Sequence, residues 1–245
     1  MVCAIIKLTM SKCMVWKGEH MYEQLKKNTV SAQNQLASGK YVRIENPDGK
    51  GIKVLFVGNS ITFHEPSEQV GWLLTCGMSA SAPEKDYVHQ VMARIREKTP
   101  DASHAICQVS HWEHDYKNGK NVFADFVTAR EYDADVIIVR LVDNCPIDGF
   151  DGEVLKQAYL DLVDFLNPTG KAKVILTTGF WKHPGDEVIQ QIAEERGWPC
   201  AYLGDLGELD EMKALGRFEH HGVAIHPGDL GMKTIAERIC RKLKM

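Results

Sequence analysis

The sequence predicts an α/β fold: a parallel sheet of five strands covered on both faces by helices. Two observations carry that prediction. From Lys53 onward, short runs rich in Val, Ile and Leu alternate with segments of helical periodicity. The first of these runs, Val54–Val57, is continuously apolar rather than alternating, the pattern of a strand buried on both faces. Strand–helix alternation of this kind implies right-handed crossovers.

The elements follow in order. The strands are expected at Lys53–Val57, His104–Val109, Asp135–Leu141 and Lys173–Thr177, with a weak fifth at Cys200–Leu203. Helices are expected at Lys85–Lys98, Val122–Arg130, Glu153–Leu166 and Glu187–Arg196. In the third helix Leu155, Ala158, Leu162, Phe165 and Leu166 share one face. A last helix runs from Asp229 to Lys244, with Met232, Ile235, Ala236, Ile239 and Leu243 as its stripe. Asp229 stands at its N-cap or just ahead of it. Residues 1–50 differ in character: 16–40 is polar and weakly periodic, and Asn46-Pro-Asp-Gly-Lys50 is a turn signal. They read as an extension packed on the domain edge or supporting a homo-oligomer contact, with residues 51–245 as the main domain.

Composition narrows the function classes. With 245 residues, 44% of them hydrophobic, the chain can bury one large core. A net charge of -4 with interspersed cations argues against nucleic acid as a partner. Seven scattered cysteines without a C-x-x-C spacing read as reduced thiols. No apolar run reaches the roughly 18 residues that span a bilayer, and Met1–Met10 lacks a basic start and a cleavage site. A cytoplasmic chain with no membrane partner is the expectation.

Chemistry concentrates at predicted strand ends. Gly58-Asn59-Ser60 ends the first strand, where open α/β sheets place their sites. Gly58 would turn the chain sharply and leave Ser60 exposed as a nucleophile; an N-cap serine is the other reading. His226, in Ile225-His226-Pro227 before the last helix, is the candidate base. Asn144, in Arg140-Leu-Val-Asp-Asn144, could turn its amide toward an oxyanion or simply belong to a turn. Arg140 could pair with Asp143 or Glu65 or bind an anionic substrate. Trp181 and His183 follow the fourth strand, where Trp181 could stack on a substrate or cap the core. His111-Trp-Glu-His114-Asp115 offers two histidines three apart, but no third ligand of recognisable spacing. Substrate contact by His111, or plain solvation, is therefore preferred to a metal, and no metal or cofactor is expected.

Together these motifs resemble the SGNH/GDSL hydrolases. Gly58-Asn59-Ser60 is similar to the first family block, with Asn for the usual Asp. Val142-Asp143-Asn144 is similar to the third, Gly-x-Asn, with Val142 at the glycine. Ile225-His226-Pro227 resembles the fifth, which carries the catalytic histidine. The resemblance covers Lys53 to the C-terminus and implies a flavodoxin-like three-layer α/β/α sandwich. It further implies an oxyanion hole from the Ser60 N–H, the Asn144 side chain and a glycine N–H, for which Gly77 is the candidate and Gly71 the alternative, although either could be a loop glycine. Val223 occupies the position where the family places an aspartate. Glu219, His220, His221 or a backbone carbonyl could substitute, and a Ser–His dyad is expected before a full triad.

The implied function is a serine esterase cleaving a small acyl ester, acetyl-like, with an acylated sugar as the candidate substrate. The alternative is a non-catalytic binding module, favoured by Val142 and Val223. A nucleotide-binding domain is disfavoured because no glycine-rich loop follows the first strand.

Overall fold

The computed structural model describes residues 41–244. The expectations for residues 1–40 lie outside the described residues. A single sheet runs through the molecule in the order β1-β3-β2-β4-β5-β6. Its strands are β1 (Val42–Glu45), β2 (Lys53–Gly58), β3 (Ser103–Gln108), β4 (Val136–Arg140), β5 (Lys173–Thr177) and β6 (Cys200–Ala201). Strands β2 to β6 are parallel and follow the flavodoxin-like order. The sheet has six strands rather than the expected five. The additional one, β1, is an antiparallel edge strand on β3, pairing Val42 with Cys107 and Glu45 with His104.

Alternation along the central strands divides the core into two layers. Leu55, Val57, Ile137, Val139, Val174 and Leu176 point to one face. There they meet Leu155, Tyr159 and Leu162 of α4 (Gly152–Leu166) and Ile189 of α5 (Gly185–Arg196). Val54, Phe56, Ile106, Ile138 and Ile175 point to the other. That face is covered by Val88, Val91, Met92 and Ile95 of α1 (Tyr87–Lys98), with Met232, Ile235 and Ile239 of α7 (Asp229–Leu243). Each fully buried aliphatic side chain contributes roughly 1.5–3 kcal/mol of transfer free energy.

Several elements depart from expectation. Val122–Arg130 is not one helix. A 3-10 segment, Tyr116–Phe126, precedes the short α3, Val127–Glu131. Two further short helices were not anticipated, α2 (Ser110–His114) and α6 (His221–Ala224). Gly228, not Asp229, is the N-cap of α7. The Asp229 carboxylate instead accepts from Ser81 N at 2.8 Å and Ser81 Oγ at 2.6 Å, strapping the loop after β2 to α7. Among the described residues, no helix is long and apolar enough to cross a membrane.

Candidate active site

In a sheet of this order the strand sequence reverses between β2 and β4, leaving a crevice beyond their carboxyl ends. Ser60 lies just past β2 and Asn144 just past β4. Gly58 makes the sharp exit from β2 possible. A Cβ there would lie 1.8 Å from Thr62 Oγ1, because the chain doubles back with Thr62 N donating to Asn59 O. This turn lifts Ser60 into the crevice, half-buried, while Asn59 beneath it is almost fully buried.

His226 arrives from the other end of the chain. Its loop is held by α6 and by the antiparallel bridge between Pro227 and Lys213. Ser60 Oγ and His226 Nε2 are 2.9 Å apart. The other ring nitrogen, Nδ1, is 2.6 Å from the carbonyl oxygen of Gly222. A carbonyl can only accept, so it fixes the tautomer: N–H on Nδ1, lone pair on Nε2 facing the Ser60 hydroxyl. The side chain at the position where an aspartate was weighed, Val223, is buried in the core. His220 caps α6, its Nδ1 accepting from Val223 N. Trp181 stands edge-on to the His226 ring, centroids 5.2 Å apart. Burial pulls the His226 pKa down to about 4, against the opposing influence of the Gly222 carbonyl and the Asp143 charge. The imidazole is therefore neutral at pH 7.

Beneath these groups lies a buried polar network. The Glu113 carboxylate accepts from Val142 N (2.6 Å) and Asn59 Nδ2 (3.1 Å) on Oε1, and from Asn144 Nδ2 (2.7 Å) on Oε2. Burial, with Asp143 close by, pushes its carboxyl up to about 7, while the N–H donors aimed at it favour the anion. Asp143 accepts from Asn59 Nδ2 (3.1 Å) and Phe180 N (2.7 Å) and pairs with Arg140 Nη1 at 2.9 Å. Arg140 Nη2 also donates to Asn59 Oδ1. One N–H of the Asn144 amide thus goes to Glu113, and the amide carries a second. Among the described residues no acceptor engages the Ser60 N–H.

Three of the expected site residues are placed otherwise. The Gly77 N–H, expected in an oxyanion hole, donates to Asp86 Oδ2 at 3.0 Å. That carboxylate is wholly buried and takes the Gly77 N–H on the oxygen that His89 does not use. Arg140 has no exposed surface and is not an anion binder; it pairs with Asp143, the other reading its position offered, and donates to Asn59. His111 is not drawn to Ser60; it stacks on Tyr41 at 4.1 Å and lies 3.2 Å from Asp125 Oδ2. His183 is buried, bonded to Cys145 O at 3.0 Å. Glu113 was missed as a functional candidate. Its signal was an acid beside the apolar Trp112, on a segment whose histidines and acids read as metal ligands or rim contacts.

No protein-family model and no curated protein matches this sequence. Solved structures match its fold. A two-domain esterase (CEX) active on acetylated mannans, co-crystallised with mannopentaose, is 21% identical, with a TM-score of 0.53 over 81% of this chain and 50% of that one. The chain thus spans half the length of that esterase. The psychrotrophic esterase EstA from Pseudoalteromonas sp. is 13% identical, with a TM-score of 0.53 over 78% of this chain and 96% of its own. A protein described as a GDSL-like lipase from Parabacteroides merdae is 14% identical, with a TM-score of 0.53 over 80% and 97%. The resemblance to SGNH/GDSL hydrolases therefore extends to the fold.

Proposed function

We propose that the chain is a serine ester hydrolase that removes a small, acetyl-like acyl group, with an acylated carbohydrate as substrate. The observation that carries this reading is the 2.9 Å approach of Ser60 Oγ to a His226 nitrogen whose lone pair is fixed by the Gly222 carbonyl. The substrate class draws support from the CEX neighbour, which acts on acetylated mannans, and from Trp181, an aromatic beside the imidazole on which a sugar ring can pack.

In the proposed reaction, His226 Nε2 takes the Ser60 proton as Oγ bonds to the ester carbonyl carbon. The carbonyl oxygen gains the negative charge and is met by the Ser60 N–H and the free N–H of Asn144, each such donor being worth roughly 3 kcal/mol in the transition state. The imidazolium, steadied by the Gly222 carbonyl and the Asp143 charge, hands its proton to the departing alkoxide. Water then adds to the acyl-enzyme with His226 again as base, releasing the acid and restoring the serine. A Ser–His dyad with a backbone carbonyl in place of the acid suffices for this sequence of steps.

The test is hydrolysis of p-nitrophenyl acetate and of acetylated mannan oligosaccharides. Ser60→Ala should lower kcat by at least about 10³-fold, and an organophosphonate should label Ser60 in the parent. Equal turnover by parent and Ser60→Ala would end the proposal. Inertness to substrate and probe together would favour the binding module.

A further inference from the structure

A second group of titratable side chains lies away from the carboxyl edge, where β1 joins the sheet. Glu45, the last residue of β1, is in register with His104 of β3. His89 stands in the first turn of α1, and the N-cap Asp86 accepts from both its backbone N and its Nδ1–H, each at 2.8 Å. That bond leaves Nε2 as the outward nitrogen, 3.4 Å from Glu45 Oε2. His104 Nε2 lies 3.6 Å from the same oxygen. His104 is fully buried, and its Nε2 has no hydrogen-bond partner.

We propose that Glu45, His89 and His104 bind one divalent ion of the zinc class, clipping the edge strand to the body of the domain. The ligand atoms all lie within 4.8 Å of one another. Tetrahedral zinc with bonds near 2.0–2.1 Å holds its ligand atoms roughly 3.4 Å apart, close to the two separations from Glu45. One oxygen and two imidazole nitrogens are a donor set that zinc accepts. Asp86 orients His89 as a carboxylate orients a zinc-bound histidine, leaving the second ring nitrogen to the metal. The side chains of His89 and Glu45 are 19% and 25% exposed, so an ion can enter from solvent and keep a water as fourth ligand.

Two cations border the group. Arg43 Nε is 3.3 Å from Glu45 Oε1, and Arg96 Nη2 is 3.4 Å from His104 Nδ1. The carboxylates of Glu45 and Asp86 balance them, so an ion would not enter a positive site. Metal on His104 Nε2 places the ring proton on Nδ1. Arg96 then gives up that long contact and keeps the bond from its Nε to Ala102 O, 3.2 Å. Without an ion, a proton on His89 between the two carboxylates does the bridging, and the metal takes that proton's place. The ligands come from three separate elements, so no spacing in the sequence announces them.

The experiment uses the full chain, stripped with EDTA and titrated with zinc chloride at pH 7.5, read by calorimetry, bound zinc per chain and melting temperature. We expect one zinc per chain and, at a hundredfold excess over Kd, a melting temperature raised by about 5–10 °C. His89→Gln and Glu45→Gln, both at partly exposed positions, should each weaken binding at least tenfold and remove the melting shift. His104→Gln should do the same if it folds. No uptake of zinc, or uptake equally tight in His89→Gln and Glu45→Gln, overturns the proposal. Neither outcome bears on Ser60, since no activity is measured.

Discussion

Glu113 holds three N–H groups on two sides of one crevice: the Asn59 and Asn144 amides and the Val142 backbone. On the proposed reading, the bond to Asn144 aims the amide's second N–H at the oxyanion, which makes Glu113 a positioning residue. Replacing it by glutamine keeps the volume but converts one acceptor into a donor. The glutamine carbonyl should stay where two donors converge, Val142 N and Asn59 Nδ2. Its NH2 then faces the Asn144 amide, donor against donor, and turns it away. Glu113→Gln should therefore lower kcat roughly ten- to a hundredfold with KM changed less than about twofold, a misaimed donor costing less than a deleted one. A rise in KM at constant kcat would show that Asn144 is not used in the transition state.

The exit of β4 carries a backbone signature that outlasts a change of residue. Val142, at the position where the resembling family has glycine, adopts φ 108°, a conformation that L side chains rarely take. Its side chain is buried against Gly185 and Gly179, where a Cβ would meet Val142 methyls at 2.3 and 3.0 Å. The valine fills a hollow kept open by two glycines at a strain of order 1–3 kcal/mol. Val142→Gly and Val142→Ala both empty that hollow, but only glycine relaxes the backbone. Urea unfolding should find Val142→Gly the more stable of the two by about 1 kcal/mol, although glycine is ordinarily the less stable by 0.5–1 kcal/mol. Alanine equal or better would mean that the strain is not there. The same scale explains what could be read in advance. Strands β2, β4 and β5 are apolar runs buried on both faces, and that pattern is legible in the sequence. The edge strand β1, Val-Arg-Ile-Glu, shows water most of its length and carries no such signal. Gly77 could not be separated from an oxyanion glycine, because the Asp86 that claims its N–H lies nine residues on, under a loop. Nor does a carbonyl such as that of Gly222 have any residue type by which a sequence could announce it.

Across the whole molecule, the crevice exists only because the fold brings a residue after β2 and a residue before α7 to one edge. The imidazole's low pKa is a property of that assembly, and it links the site to global stability. Burial, the largest cause, holds His226 near 4, whereas the unfolded chain binds the same proton near 6.5. Between these values the unfolded state carries more protons than the folded one, so stability rises with pH across the window. This contribution is complete above pH 6.5 and is lost as pH falls toward 4. Its full size is at most about 3 kcal/mol, less what solvent screens from a half-buried ring. Other buried acids and histidines titrate nearby, so the difference between two proteins isolates the effect. Urea midpoints of parent and His226→Gln should converge as pH drops from 7 to 4.5, because glutamine has no proton to gain. Parallel curves through that range would mean that His226 titrates like a solvated histidine. An imidazole charged well above pH 4 would then be a poorer base for Ser60 in mild acid, and the reading of His226 as a neutral base there would fail with it.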